Sequence, residues 1–189
     1  PQGIVDLGVF NSNSIIYKFF RRQEEILYNV SDCIGCMSPA NVRYVLEHNP
    51  MIKNEQVEIC PNSIKLSYVE RMSDSKRKCK AIRMKYNVPI DKTVFIYGGN
   101  LGMPQGLEFL PIILQNNEKR QDVFFLIVGN GTQYNALKSW FNANQPKNSM
   151  LLKGLSKDDY DNLVAACDVG LIFLDYRFSI PNYPSRLLP

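Results

Sequence analysis

Gly98-Gly99-Asn100-Leu101-Gly102 is the stretch of this 189-residue chain whose residue types and spacing best suit chemistry. Without Cβ atoms the backbone can approach a ligand closely, and bare N–H groups in such a segment can hydrogen-bond a phosphate. The preceding Val94-Phe95-Ile96-Tyr97 reads as a buried strand, and Met103-Pro104-Gln105-Gly106 leads towards a helix. The pattern points to a nucleotide or nucleotide-sugar site. A plainer reading is that the glycines only permit a tight strand-to-helix connection. Asn100 favours a polar, ligand-facing turn, although asparagine also tolerates left-handed backbone unaided.

Other reactive side chains point elsewhere. The five cysteines, Cys33, Cys36, Cys60, Cys79 and Cys167, are odd in number and scattered, which argues for a reducing compartment and against a disulfide framework. A cytoplasmic location is therefore expected. Cys33 and Cys36 form a CxxC within what reads as a short buried strand; His48 is the only histidine and no second CxxC completes a zinc tetrad, so no metal is expected. Asn29-Val30-Ser31 and Asn130-Gly131-Thr132 match the glycosylation sequon, but no leading charged and apolar segment marks the chain for secretion. Asp6 reads as a solvated loop carboxylate. The net charge of +4, from 22 basic and 18 acidic residues, is too mild to announce a nucleic-acid partner.

The elements that position these residues follow from hydrophobic periodicity. Residues 1–13 read as loop, and Ser14 to Val30 as an amphipathic helix with Ile15, Ile16, Phe19, Phe20, Ile26 and Leu27 near one stripe. After the Cys33 strand, Ser38-Pro39 opens a second helix with a serine N-cap and a first-turn proline, ending near Asn49-Pro50. Val57 to Cys60 reads as a strand. A basic helix from Ser73 to Tyr86 carries Arg77, Lys80, Arg83 and Lys85 around its circumference, which reads as a solvated surface.

Past Pro89 the order becomes regular. Strands Thr93–Tyr97, Val123–Val128, Met150–Lys153 and Val169–Leu174 alternate with helices Gln105–Gln115, Thr132–Asn144 and Lys157–Ala166. This predicts an α/β fold, a Rossmann-like parallel sheet with helices on both faces and right-handed crossovers. Ligands in such sheets sit beyond the carboxyl ends of the strands, where the Gly98, Gly129 and Gly154 turns and the loop after Leu174 all fall. Pro184-Ser185 looks like a helix start with only four residues after it, so the sequence reads as part of a larger protein.

In this order the motifs resemble the group 1, family 4-like glycosyltransferases of the GT-B fold, in the branch that makes bacterial surface polysaccharides. The residues that carry the resemblance are Gly98-Gly99-Asn100-Leu101-Gly102, Gln105-Gly106-Leu107, Ile127-Val128-Gly129-Asn130-Gly131, Leu152-Lys153-Gly154-Leu155, Ala165-Ala166-Cys167-Asp168-Val169 and Pro184-Ser185-Arg186-Leu187-Leu188. Met37-Ser38-Pro39 and Cys60-Pro61-Asn62-Ser63 resemble the end of the acceptor domain and the crossing to the donor domain. The resemblance implies residues 1–62 as the end of an acceptor domain and 63–189 as a nucleotide-sugar donor-binding domain, the C-terminal half of a GT-B fold.

The resemblance further implies a nucleotide-sugar co-substrate and no other cofactor, with a glycan or polyprenyl-lipid-linked acceptor, peripheral membrane contact and retention of configuration. Gly99, Asn100 and Gly102 would offer backbone donors to the diphosphate, with Gln105 where many relatives carry a phosphate-binding cation. Gly129 would keep the pocket floor open, Lys153 and Leu155 would flank the base, and Ser185 with Arg186 would hold the phosphates. Two glutamates common in relatives are replaced by Pro181 and Pro189, so ribose and sugar contacts must come from elsewhere, with Asn182 and Tyr183 as candidates. The catalytic residues are not readable. Two other readings are a GT-B sugar epimerase, which needs acidic and histidine groups in its cleft, and a non-catalytic Rossmann-like nucleotide- or protein-binding module. A dinucleotide fold is disfavoured, because the next strand ends in Val128-Gly129 rather than an acidic residue.

Overall fold

Serine N-caps begin the two main helices of the amino-terminal half, and the sequence predicts the one at Ser38. The computed structural model describes residues 1–63 and 76–182, and the described residues fall into two compact units, one formed by 1–63 with 176–182 and the other by 76–175. The first unit contains α1 (Gln2–Asp6), α2 (Ile15–Val30), β1 (Ile34–Cys36), α3 (Pro39–His48) and β2 (Val57–Ile59). The Ser14 hydroxyl accepts from the Tyr17 amide at 3.2 Å and the Ser38 hydroxyl from the Asn41 amide at 3.3 Å, satisfying first-turn donors that the helix itself leaves open. Strands β1 and β2 pair in parallel, with Ile34 opposite Val57 and Cys36 opposite Ile59.

Two expectations for this unit are corrected. The opening residues form a short helix rather than a loop, followed by buried Leu7. Asp6 is not simply solvated: its carboxylate accepts from the Ser179 amide at 2.8 Å, the Ser179 hydroxyl at 2.9 Å and the Gln2 side-chain amide at 2.7 Å. Partial burial raises the Asp6 pKa, but these hydrogen bonds outweigh it and leave the group below its ordinary value. With the Asn41 amide donating to the Pro181 carbonyl at 2.6 Å, they give residues 176–182 partners in the first unit. The apolar stripe of α2 stands largely exposed, from Ile15 through Phe19 to Leu27 and Val30.

The second unit contains α4 (Lys76–Lys85), β3 (Thr93–Asn100), α5 (Leu110–Asn116), β4 (Val123–Asn130), α6 (Tyr134–Asn144), β5 (Ser149–Lys153), α7 (Lys157–Ala165) and β6 (Val169–Gly170). Its sheet is parallel throughout, in the order β5-β4-β3-β6. The run Val123-Phe124-Phe125-Leu126-Ile127-Val128 contains no polar residue, and such a strand requires cover on both faces. Every residue from Val123 to Gly129 is buried. Val123, Phe125 and Ile127 pack with Tyr97, Leu110, Leu114 and Leu137 on one face. Phe124, Leu126 and Val128 pack with Val94, Ile96, Val88 and Leu163 on the other.

The strands differ in length from the sequence reading. β3 runs on through Gly98 and Gly99 to Asn100, and β4 through Gly129 to Asn130, because the two ladders stay in register to those residues. β6 is only Val169–Gly170, paired with Phe95 and Ile96. The helix expected from Gln105 is replaced by two short 3-10 turns, with α5 starting at Leu110.

Arg83 is also corrected. It does not belong to a solvated face; it is 8% exposed and its guanidinium donates to the Ala166 carbonyl at 2.7 Å, the Lys92 carbonyl at 3.0 Å, the Pro89 carbonyl at 3.3 Å and the Asp168 carboxylate at 2.7 Å. The same Asp168 oxygen accepts the Val94 amide at 2.7 Å. Burial pushes the neighbouring Cys167 thiol up to about 12, so it packs as a small apolar group.

Two predictions arise here. Arg83→Ala leaves three carbonyls and a carboxylate without their cation, and is expected to destabilise the second unit by about 3 kcal/mol, read as a lowered urea midpoint. Because the folded pKa of Asp6 is depressed, its contribution is complete above the unfolded value and disappears as pH falls through the folded one. The Ser179 amide resonance should therefore hold steady from neutral pH down to about pH 4 and move below it; an unchanged resonance down to full protonation would refute the contact.

Candidate functional site

Glycine faces glycine where β3 and β4 end. Gly98 pairs with Val128, Gly99 with Gly129 and Asn100 with Asn130, while Gly129 also lies opposite Lys153 on β5. A Cβ on Gly129 would collide with the Gly99 carbonyl oxygen, and one on Gly98 would overlap the Tyr160 ring. Only glycine permits these approaches.

Beyond this floor opens a cleft of about 450 Å³ lined by Gly99 and Asn100 of β3, Val128, Gly129 and Asn130 of β4, Gly154 and Leu155 after β5, and Lys157 and Tyr160 in the first turn of α7. It lies at the carboxyl ends of three adjacent parallel strands, the position such sheets use for ligands. Asn130 ties its rims together. Its carbonyl accepts from the Leu101 amide at 2.8 Å and its side-chain oxygen from the Gly154 amide at 3.2 Å. The Leu101 carbonyl in turn accepts the Gln133 amide at 2.8 Å.

Among its described lining residues the cleft is nearly uncharged. Among the described lining residues Lys157 alone carries a charge, and it pairs with Asp161 at 2.8 Å. The first turn of α7 is held by Ser156, whose hydroxyl accepts the Asp159 amide at 3.3 Å, so the positive end of that helix borders the cleft. Among the described residues no cluster of His, Cys, Asp and Glu could hold a metal ion.

The structure gathers four of the predicted site residues, Gly99, Asn100, Gly129 and Leu155, into this cleft. It does not bring in Gly102, Gln105 or Lys153. Gly102 is buried beside the Asn100 side chain. Gln105 sits in the 3-10 turn, its side-chain oxygen accepting from the Tyr97 hydroxyl at 3.4 Å. Lys153 is the exposed last residue of β5 and lies outside the lining. Ser185, Arg186 and Tyr183 lie outside the described residues. The expected Gly98–Gly99 turn is strand, so those glycines serve close packing rather than a reversal of the chain.

Sequence reasoning missed Val128, Asn130, Gly154, Lys157 and Tyr160 as lining residues. Asn130 and Gly154 were within reach, since both stand in the strand-end turns that define the rim. Tyr160 carried no motif; its signal is its place one turn into a helix that must cover the small surface of Gly98. Gly129→Ala should force β3 and β4 apart at the cleft floor and cost about 2 kcal/mol of stability, whereas a melting temperature equal to that of the unaltered chain would show that the strands have room to spare.

Neither a protein-family model nor a curated protein sequence matches the chain. Among solved structures it is similar to WaaG, a glycosyltransferase involved in lipopolysaccharide biosynthesis, with a TM-score of 0.67 and 15% identity over 85% of this chain and 44% of that one. It is similar to Anabaena Alr3699/HepE, solved in complex with UDP and glucose, with a TM-score of 0.65 and 14% identity over 83% of this chain and 42% of that one. A glycosyltransferase from Rickettsia africae ESF-5 matches with a TM-score of 0.62 and 17% identity over 79% and 41%. The chain spans less than half the length of each of these structures. Its fold is the Rossmann-like α/β fold of the GT-B glycosyltransferases.

Proposed function

We propose that the chain is the nucleotide-sugar-binding part of a group 1 glycosyltransferase. It moves a sugar from a nucleotide-diphosphate donor to a glycan or polyprenyl-lipid-linked acceptor in surface-polysaccharide synthesis, with retention of configuration. Residues 63–189 form the donor-binding domain and 1–62 the end of the acceptor domain. The observation that carries this reading is the cleft at the ends of β3, β4 and β5, floored by glycines and bordered by the first turn of α7. Structures with the same fold include one solved with UDP and glucose and another with UDP-glucose, which supports a donor of that chemical class.

The reaction separates a sugar carbon from a diphosphate oxygen, and negative charge grows on that oxygen as the bond breaks. Fixed dipoles aimed at it stabilise the departing group without reorganising. Here the positive end of α7, with Lys157 beside it, supplies such a dipole at the cleft, and Gly99 and Gly129 let a flat or extended ligand lie close to the backbone. Leu155 and Tyr160 give apolar surface for a base or ribose. The cleft holds no histidine or carboxylate among its described lining residues, so it has no group suited to removing a proton from a sugar carbon, as an epimerase must. A cytoplasmic site agrees with five scattered cysteines that form no disulfide among the described residues. No helix among the described residues is long and apolar enough to cross a membrane.

Isothermal titration with UDP-, GDP- and dTDP-sugars tests the reading. One base series should give heat, and Asn100→Asp, which adds a negative charge at the cleft with little change of shape, should weaken that donor about tenfold. Gln105→Ala, outside the lining, should change it far less. Silence with every donor tested would refute the reading.

A further inference from the structure

A second pocket, of about 260 Å³, lies wholly within the first unit between α2 and α3, closed by Gln2 and Ile180. The nucleotide-sugar reading leaves it unassigned. Three half-buried tyrosines, Tyr17, Tyr28 and Tyr44, line it, and the Tyr44 ring lies flat against His48 with 4.0 Å between ring centres and 22° between planes.

The polar wall of this pocket is internally balanced. Arg21 donates to Glu24, to the Asn49 side-chain oxygen and, at 2.9 Å, to the His48 carbonyl, and it lies 3.5 Å from Glu25. Its fork is thus occupied, which removes the bidentate grip that a phosphate or carboxylate ligand requires. Among the described residues no set of groups there could hold a metal ion. What remains is tyrosine ring surface edged with hydroxyl groups and with the side-chain amides of Gln2 and Asn49, which donate to Asp6 and the Val45 carbonyl and keep accepting capacity on their oxygens. The Tyr17 hydroxyl donates to Gln2 at 3.2 Å, and its oxygen keeps accepting capacity. Burial first, and Glu24 after it, hold the Tyr28 hydroxyl in its protonated, donating form, and burial with Asp6 and Glu24 does the same for Tyr44.

We propose that this pocket binds the ring of a neutral saccharide. A pyranose offers a C–H face to an aromatic ring and a rim of hydroxyls that donate and accept, which is the complement of tyrosine faces, phenol groups and side-chain amides around a charge-neutral wall. The volume admits about one ring. The ligand class is argued from the pocket alone; that such a sugar would belong to the acceptor of a glycosyl transfer is a step that rests on the function proposed above.

The test uses the whole chain with methyl α-D-glucopyranoside, methyl α-D-galactopyranoside and N-acetyl-D-glucosamine, with glucose 1-phosphate as the charged counterpart and UDP as the donor-site probe. An amide chemical-shift map should place shifts from at least one neutral sugar on α2 and α3. Its affinity should fall about tenfold in Tyr44→Ala and only about threefold in Tyr44→Phe, which keeps the ring, with UDP binding unchanged in both. Glucose 1-phosphate should bind no more tightly than the neutral sugar. The map needs no substitution, so an unfolded Tyr44→Ala would not rescue the proposal. Absence of binding by all the neutral sugars, shifts confined to other elements, or a clear preference for the phosphate would each overturn it. Sugar binding without UDP binding would sink the donor reading and leave the pocket standing; UDP binding without sugar binding would do the reverse.

Discussion

The approach of β3 and β4 at their carboxyl ends is the constraint on which the cleft depends. Parallel strands usually diverge into loops where their ladder stops, and side chains fill the space between. Here Gly99 lies against Gly129 with no room for a Cβ, and the ladder continues to Asn100 and Asn130. The strand ends become a flat backbone floor. Tyr160 can then lie over Gly98, and the Leu101 amide can close on the Asn130 carbonyl. Any larger residue at Gly129 would remove the floor and with it the geometry of the three loops around it.

A floor built this way needs rigid strands behind it. β4 supplies the rigidity because its alternate side chains enter two separate cores, one towards α5 and α6 and one towards α4 and α7. Sliding it by one residue would exchange every packed side chain between those cores. The opposite end of the sheet is fixed electrostatically. Arg83 ties α4 to the residues entering β3 and to Ala166 at the end of α7, and Asp168 takes both that cation and the Val94 amide. A buried cation is costly to place, yet this one meets carbonyls and a carboxylate at every direction of its fork.

The sequence already contained most of this architecture in its hydrophobic pattern. Alternating strands and helices after Pro89 are enough for the α/β fold and the position of its rim, and Ser38-Pro39 for the start of α3. Glycine in a sequence pattern signals the end of a strand, whereas here the close approach of Gly99 and Gly129 keeps β3 and β4 in register to Asn100 and Asn130. Arg83 has no local signal, because its neighbours Lys80 and Lys85 are exposed cations and the carbonyls of Pro89, Lys92 and Ala166 that accept from it lie outside its own helix. Gln105 in its 3-10 turn and Lys153 at the end of β5 lie near the rim but outside the lining, since a motif position gives a place in the chain and not the direction of the side chain. The contacts of Asp6 with Ser179 span nearly the whole chain and have no local signal.

The two pockets differ in the means by which they could discriminate ligands. The cleft of the second unit presents backbone, one helix end and a single described charged side chain, so shape and fixed dipoles must do the selecting. The pocket of the first unit presents tyrosine faces and a guanidinium already held by carboxylate and amide partners, so hydroxyl geometry must do it. Neither arrangement relies on an unpaired side-chain cation among the residues described in its wall. A protein that handled phosphates chiefly by net charge would lose affinity steeply with added salt, as exposed charge is screened within about 10 Å at 0.1 M ionic strength. Close backbone approach is screened less, whereas a helix end at an open cleft is itself weakened by salt, so the proposed donor should lose affinity with salt only as far as the α7 dipole contributes.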